Sequence, residues 1–350
     1  MATTHQNPVG IEGIAFIEFA SPTPKSLEHL FLAFGFSKTH ENGTAQASWF
    51  SQNEIHCIVN EGNTGHGPQF SVAHGPSIPA MGWYAANPAK AFAVALERGA
   101  KPATLSTWCR PTGEPIPAIE GIGGSLIYFV EKQSAESLKE SLGFTPAKQP
   151  ILQSGFGFCA IDHLTNNVEK GTMQQWSEFY QDIFGFTQVR YFDIRGVKTG
   201  LTSYALRSPC GTFCIPINEG TEDKSQINEY LREYRGPGIQ HLAFSTSDIV
   251  TSIRELKSHQ IETLDIDDEY YQEVFQRVPN VTEDHKNLQK LGILVDGDSE
   301  GYLLQIFTKN LIGPIFIEII QRKNHLSFGE GNFQALFRSL ERDQERRGVL

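Results

Sequence analysis

The 350-residue sequence predicts an α+β fold of four strand–helix–strands units, two in each half of the chain. Three self-similarities carry this reading. GIAFIEFASP (Gly13 to Pro22) and CAIDHLTNNV (Cys159 to Val168) are both strand-like, and each precedes a helix that closes alike, at Phe34-Gly35-Phe36 and Phe184-Gly185-Phe186. His74 to Ala100 and Arg235 to Ile261 both read Gly-Pro-x-Ile, then a strand, then a capped helix. More weakly, GGSLIYFVEK (Gly123 to Lys132) resembles GPIFIEIIQR (Gly313 to Arg322). A chain of this length makes two domains or one large pseudo-symmetric unit.

Taken in order, the first strand shows alternating apolar positions, and a helix follows from about Pro24 to Phe34. Pro22 and Pro24 mark its start and Gly35 its end. The stretch Glu131 to Gly155 is rich in Ser, Lys and Glu and includes Pro150. It reads as an interdomain linker with a short helix around Glu136 to Leu142, which sets the domains at about 8–150 and 155–350. In the second half a helix spans about Met173 to Phe184 and stops at Gly185. The run Ile315, Phe316, Ile317, Ile319, Ile320 reads as a buried strand with Glu318 in its middle. The tail from Asn332 to Arg346 is a helix, with Phe333, Leu336, Phe337 and Leu340 on one face. From the residues alone it packs as an ordinary terminal helix or serves as a lid.

Composition excludes several classes. A net charge of −11 argues against nucleic acid or an anionic membrane as the main partner. No apolar run approaches the ~20 residues that span a bilayer, and MATTHQNPVG lacks the features of a secretory leader. Cys57, Cys109, Cys159, Cys210 and Cys214 are few and scattered. They suit a reduced cytoplasm and form no CxxC pair for a zinc knuckle.

Aligning the halves by their self-similarity isolates a candidate site. His163, His241 and Glu318 fall on matching strands of the second half, where the first half has Phe16, Ala80 and Tyr128. A carboxylate inside an apolar strand needs a compensating partner: a basic side chain, solvent or a metal. Two histidines and one carboxylate with open positions are the ligand set of non-haem Fe(II) chemistry with O2. The alternative is that His163, beside Asp162, and His241, beside Gln240, are core histidines tied by hydrogen bonds. His325 is a competing ligand, though its polar neighbours suit a solvated loop. Ser203, Asn218, Gln226, Gln240 and Gln305 lie in or beside strand-like segments and can orient a substrate without adding charge; solvent-facing strand positions are the alternative. Phe307, Phe316, Phe328 and Phe333 add aromatic surface, by default core packing.

IDHLTNNV, RYFDIRG, GLTS, IPINE, GIQHLAF, LLQIF, GPIFIEIIQRK and FGEGNFQALF, in that order, are similar to the bacterial 4-hydroxyphenylpyruvate dioxygenase family along nearly the whole chain. The resemblance implies a vicinal-oxygen-chelate fold: four βαβββ units forming two open β-barrels, with one Fe(2+) in the second only. It implies His163, His241 and Glu318 as iron ligands. Ser203, Asn218, Gln226, Gln240 and Gln305 would take catalytic roles in the pocket. Phe307, Phe316, Phe328, Asn332 and Phe333 would contact the substrate, and the tail helix would gate the site. The implied reaction converts 4-hydroxyphenylpyruvate and O2 to homogentisate and CO2 in tyrosine and phenylalanine catabolism, in a cytoplasmic homodimer or homotetramer. Two alternatives stay open: 4-hydroxymandelate synthase, and a metal-free small-molecule binding protein on the same scaffold.

Overall fold

The computed structural model describes residues 7–350. His5 and the start of MATTHQNPVG, on which the expectation of no secretory leader rests, lie outside them. The first half runs β1 (Ile11–Ala20), α1 (Pro24–Ala33), β2 (Ser37–Asn42), β3 (Ala47–Gln52), β4 (Ile55–Asn60), α2 (His66–His74), β5 (Ser77–Ala85), α3 (Pro88–Glu97), β6 (Ala118–Glu120), β7 (Leu126–Glu131), α4 (Ala135–Ser141) and β8 (Thr145–Ile151). The second runs β9 (Phe158–Val168), α5 (Met173–Phe184), β10 (Thr187–Arg195), β11 (Gly200–Arg207), β12 (Cys214–Gly220), α6 (Gln226–Tyr234), β13 (Gly238–Thr246), α7 (Ile249–Ser258), α8 (Asp268–Arg277), α9 (His285–Leu291), β14 (Leu294–Gly297), β15 (Tyr302–Phe307), β16 (Phe316–Lys323) and α10 (Phe333–Arg346).

Local chemistry fixes the helix ends. Asn87 caps α3 by accepting from the Lys90 amide at 2.9 Å, and Asp248 caps α7 by accepting from the Thr251 amide at 3.0 Å. The α5 helix stops at Gly185, whose φ of 80° is the left-handed conformation that glycine adopts at least cost.

The strands form two eight-stranded sheets, β6-β7-β5-β1-β4-β3-β2-β8 and β10-β11-β12-β9-β13-β16-β15-β14. Read in opposite directions the orders match: β1 stands for β9, β5 for β13, β7 for β16 and β4 for β12. Two βαβββ units therefore build each sheet, and an isolated bridge between Pro102 and Ile119 stands in the first where β14 lies in the second.

The segment expected as a linker is mostly folded into the first sheet. The edge strand β8 pairs with β2, with Lys38 opposite Ile151 and Glu41 opposite Thr145. Leu138, Leu142 and Phe144 anchor it in the core, while its exposed edge accounts for the polar composition. Helices α8 and α9 were not foreseen; both lie in polar sequence between α7 and β14.

One apolar core runs between the halves. Trp83 of β5 packs its ring 5.0 Å from Phe184 and 5.7 Å from Phe213, and Phe34 meets Phe158 at 6.2 Å. The inner face of the first sheet is filled by a second cluster that includes Phe16, Trp49, Trp108 and Tyr128. The inner face of the second sheet encloses a cavity instead, and α10 lies over it with Phe333, Leu336, Phe337 and Leu340 among the lining residues. Among the described residues no helix is long and apolar enough to cross a membrane.

Candidate metal centre

Register brings three distant residues together. On β9, His163 lies opposite Ala243 of β13, and Ala243 lies opposite Glu318 of β16. His241 sits two residues before Ala243 on β13, so by strand alternation it shares the face of Ala243. The same rungs in the first sheet read Phe16, Gly82 and Tyr128, with Ala80 two residues before Gly82. The positions aligned by sequence are thus structurally equivalent.

His163 Nε2 lies 3.1 Å from Glu318 Oε2, and His241 Nε2 lies 3.5 Å from the same oxygen. One candidate ligand atom from each of the three residues lies within 4.8 Å of the others. Metal–nitrogen and metal–oxygen bonds of about 2.1 Å at right angles put donor atoms about 3 Å apart, close to the two separations from Glu318. All three groups are withdrawn from solvent.

The reading of His241 as a hydrogen-bonded core histidine does not hold. Its Nδ1 has no partner among the described residues, and its Nε2 is too far from Glu318 for a good hydrogen bond. Packing fixes the ring instead: it stacks on Phe316 at 4.7 Å and 17° and meets Phe307 edge-on at 6.3 Å. His163 is held differently, with Nδ1 2.7 Å from Asp162 Oδ2 and the Phe328 ring 5.9 Å away.

The electrostatics are divided. Burial works to lower the His163 pKa, but the Glu318 charge and the hydrogen bonds to Asp162 and Glu318 outweigh it and raise it to about 9. Burial, helped by the neighbouring His163 charge, holds His241 well below the usual imidazole range. A cation among these groups displaces the His163 proton, so its affinity rises with pH.

Ser203, Asn218, Gln226, Gln240, Gln305, Phe307, Phe316, Phe328 and Phe333 all line the cavity above the three residues. Ser203 and Asn218 face each other across β11 and β12. Gln226 was expected in or beside a strand but is the first residue of α6. Asn332 is not among the lining residues. It is fully buried at the start of α10, where its Oδ1 accepts from Tyr270 Oη at 2.6 Å. That bond ties the helix start to α8. His325 stands apart, with Nδ1 3.7 Å from Asp298.

Sequence reasoning missed Thr165, Phe192, Ile194, Leu201 and Pro216 in the lining. Phe192 and Ile194 alternate with the charged Asp193 and Arg195 on the edge strand β10, a period-2 signal that could have found them. Among the described residues the lining contains no lysine or arginine, and its charged groups are confined to the His-His-Glu set.

Comparison with known proteins agrees with this geometry. A family model described as hydroxyphenylpyruvate dioxygenase, N-terminal, matches residues 5–143, and one for the glyoxalase/bleomycin resistance protein/dioxygenase superfamily matches residues 160–289. The chain is 53% identical to protein MelA of Shewanella colwelliana, covering 99% of each. It is 43% identical to 4-hydroxyphenylpyruvate dioxygenase of Pseudomonas aeruginosa, over 98% of this chain and 97% of that one. The fold superposes with a TM-score of 0.81 on a mutant of 4-hydroxymandelate synthase from Streptomyces coelicolor, over 96% of this chain and 99% of that one; at 22% identity this likeness speaks for the fold alone. On full-length similarity at these identities, the chain belongs to the 4-hydroxyphenylpyruvate dioxygenase family, with the two-barrel vicinal-oxygen-chelate architecture of the glyoxalase superfamily.

Proposed function

We propose that the protein converts 4-hydroxyphenylpyruvate and O2 to homogentisate and CO2, with one Fe(2+) held by His163, His241 and Glu318. The observation that carries this reading is a two-histidine, one-carboxylate set at the floor of a cavity whose other lining is uncharged. A keto-acid anion entering such a cavity finds no lysine or arginine, and once the His163 proton is displaced a cation on the three ligands is the partner its charge requires. When bound, iron supplies that positive charge and the redox chemistry that reaction with dioxygen needs.

The protein's own groups do the rest. Ser203, Asn218, Gln226, Gln240 and Gln305 offer neutral donors and acceptors that orient the substrate without competing for its charge. Gln305 Oε1 is buried with no partner among the described residues, which suits it to accept from a hydroxyl group. Phe307, Phe316, Phe328 and Phe333 exclude water and hold an aromatic ring by edge and face contacts. In this reading α10 is a lid: its apolar face closes the cavity, and its displacement opens it.

Product analysis after supplying Fe(II), O2 and 4-hydroxyphenylpyruvate tests the reading. Homogentisate is expected; 4-hydroxymandelate would assign the chain to the alternative synthase activity, and no turnover would remove the enzyme reading. Glu318→Ala is expected to abolish oxygen uptake and to weaken metal binding; wild-type turnover in that variant would remove Glu318 from the ligand set.

A further inference from the structure

Behind His163 lies a second arrangement that the ligand set does not explain. Arg322, four residues beyond Glu318 on β16, donates from Nε to Asp162 Oδ1 at 2.7 Å and from Nη2 to Asp162 Oδ2 at 2.9 Å. Such a two-pronged contact fixes both planes at once. Asp162 Oδ2 in turn meets His163 Nδ1 at 2.7 Å. The remaining arm of the guanidinium, Nη1, donates to the carbonyls of Ser327 at 2.6 Å and His325 at 3.2 Å. Phe328 follows directly, with its ring against His163 and in the cavity lining.

The pair is mostly buried, with side chains 17% and 18% exposed. An ion pair in that setting recovers little net stability after desolvation, so orienting neighbouring groups is the better account of it. A carboxylate on the far nitrogen of a ligating imidazole fixes both its tautomer and its ring plane.

We propose that Asp162 and Arg322 are positioning residues that orient the His163 imidazole for metal binding and, through the same guanidinium, fix the 325–328 loop that sets Phe328 over it. The ligand and one wall of the cavity are thereby aligned by a single side chain. This inference rests on the metal reading above.

The test is titration of the metal-free full-length protein with Co(II), followed by visible absorption, together with hydrogen exchange of the 325–328 amides. Asp162→Asn and Arg322→Lys are each expected to weaken Co(II) binding by about 10- to 100-fold. Only Arg322→Lys is expected to speed loop exchange, because Asp162→Asn leaves the guanidinium bonds to His325 and Ser327 in place. A merely structural role would not divide the two readouts this way. If Asp162→Asn does not fold, Asp162→Glu, which moves the carboxylate by one methylene, gives the same readout. Wild-type Co(II) affinity in both pair variants, with His163→Ala defective, overturns this inference and leaves the metal reading intact. Unaltered loop exchange in Arg322→Lys overturns the link to Phe328. Wild-type affinity in His163→Ala overturns the metal reading and this inference with it.

Discussion

Glu18 shows what a buried carboxylate does where no metal set surrounds it. It is fully buried in the first barrel, accepting from Asn60 Nδ2 at 2.8 Å and from Trp108 Nε1 at 2.7 Å. Burial raises its pKa from an ordinary 4.5 to about 7, against the pull of those two hydrogen bonds. A carboxyl that holds its proton more tightly when folded stabilises the fold below the unfolded pKa, and that contribution is lost as pH rises through the folded one. Stability is therefore expected to fall by about 3 kcal/mol between pH 4.5 and 7 from this group and to level off above. Glu18→Gln is expected to remove that slope, at a cost of about 1 kcal/mol for one misdirected hydrogen bond. Urea denaturation of both proteins across the range checks this; parallel pH profiles would contradict it. Glu318, equally buried, has two imidazoles within 3.5 Å instead. The contrast between these two carboxylates was only half legible in the sequence. An acid inside an apolar strand was visible at Glu318, whereas Glu18 in FIEFA has the same appearance, and only its partners Asn60 and Trp108 reveal its different surroundings.

At the scale of single elements the tail helix matters most. Glu341 of α10 reaches the β10–β11 connection and accepts there from the amides of Lys198 and Thr199, both at 2.9 Å, and from that of Val197 at 3.2 Å. Thr199 Oγ1 adds a further bond at 3.1 Å. On the opposite side Ser339 Oγ donates to the Asp265 carbonyl at 2.7 Å, and Arg342 pairs with Asp267. The carboxylate thus serves as a buried latch, while Phe337 fills an apolar socket of Ile194, Leu201 and Ile227. Glu341→Gln is expected to weaken the docking of α10 by about 2 kcal/mol, or roughly 30-fold in the undocked population. Hydrogen exchange of the α10 amides would report it, and wild-type protection would assign the docking to the apolar socket alone. The amphipathic face of this helix was readable from its spacing, because periodicity survives in sequence. Its latch was not, since the three amides that hold Glu341 belong to backbone and leave no side-chain signature.

Across the whole molecule the duplication explains what was legible and what was not. Strands β1 and β9 and helices α1 and α5 fell near their expected bounds, and β5, α3, β13 and α7 came in the expected order, because each carries a turn, a cap or a period that repeats in its sister. Helices α8 and α9 and strand β8 have no such echo and escaped notice. The halves also share more than a linker. Trp83, with no exposed surface, packs against Phe184, Phe186 and Phe213 of the second half. Trp83→Ala is expected to cost about 3–5 kcal/mol and to lower the urea midpoint of both halves together. Separate transitions, with only the first half shifted, would show that the shared core does not couple them.

The aromatic filling of the first barrel has one further consequence. Two sockets of the same backbone design have been put to opposite uses: one is plugged with Phe16, Trp49 and Tyr128, and the other is wired with nitrogen and oxygen donors. A plugged socket needs nothing from its surroundings to be complete. Packed against that finished half, its sister keeps an open cavity beside its three donors without having to fill it.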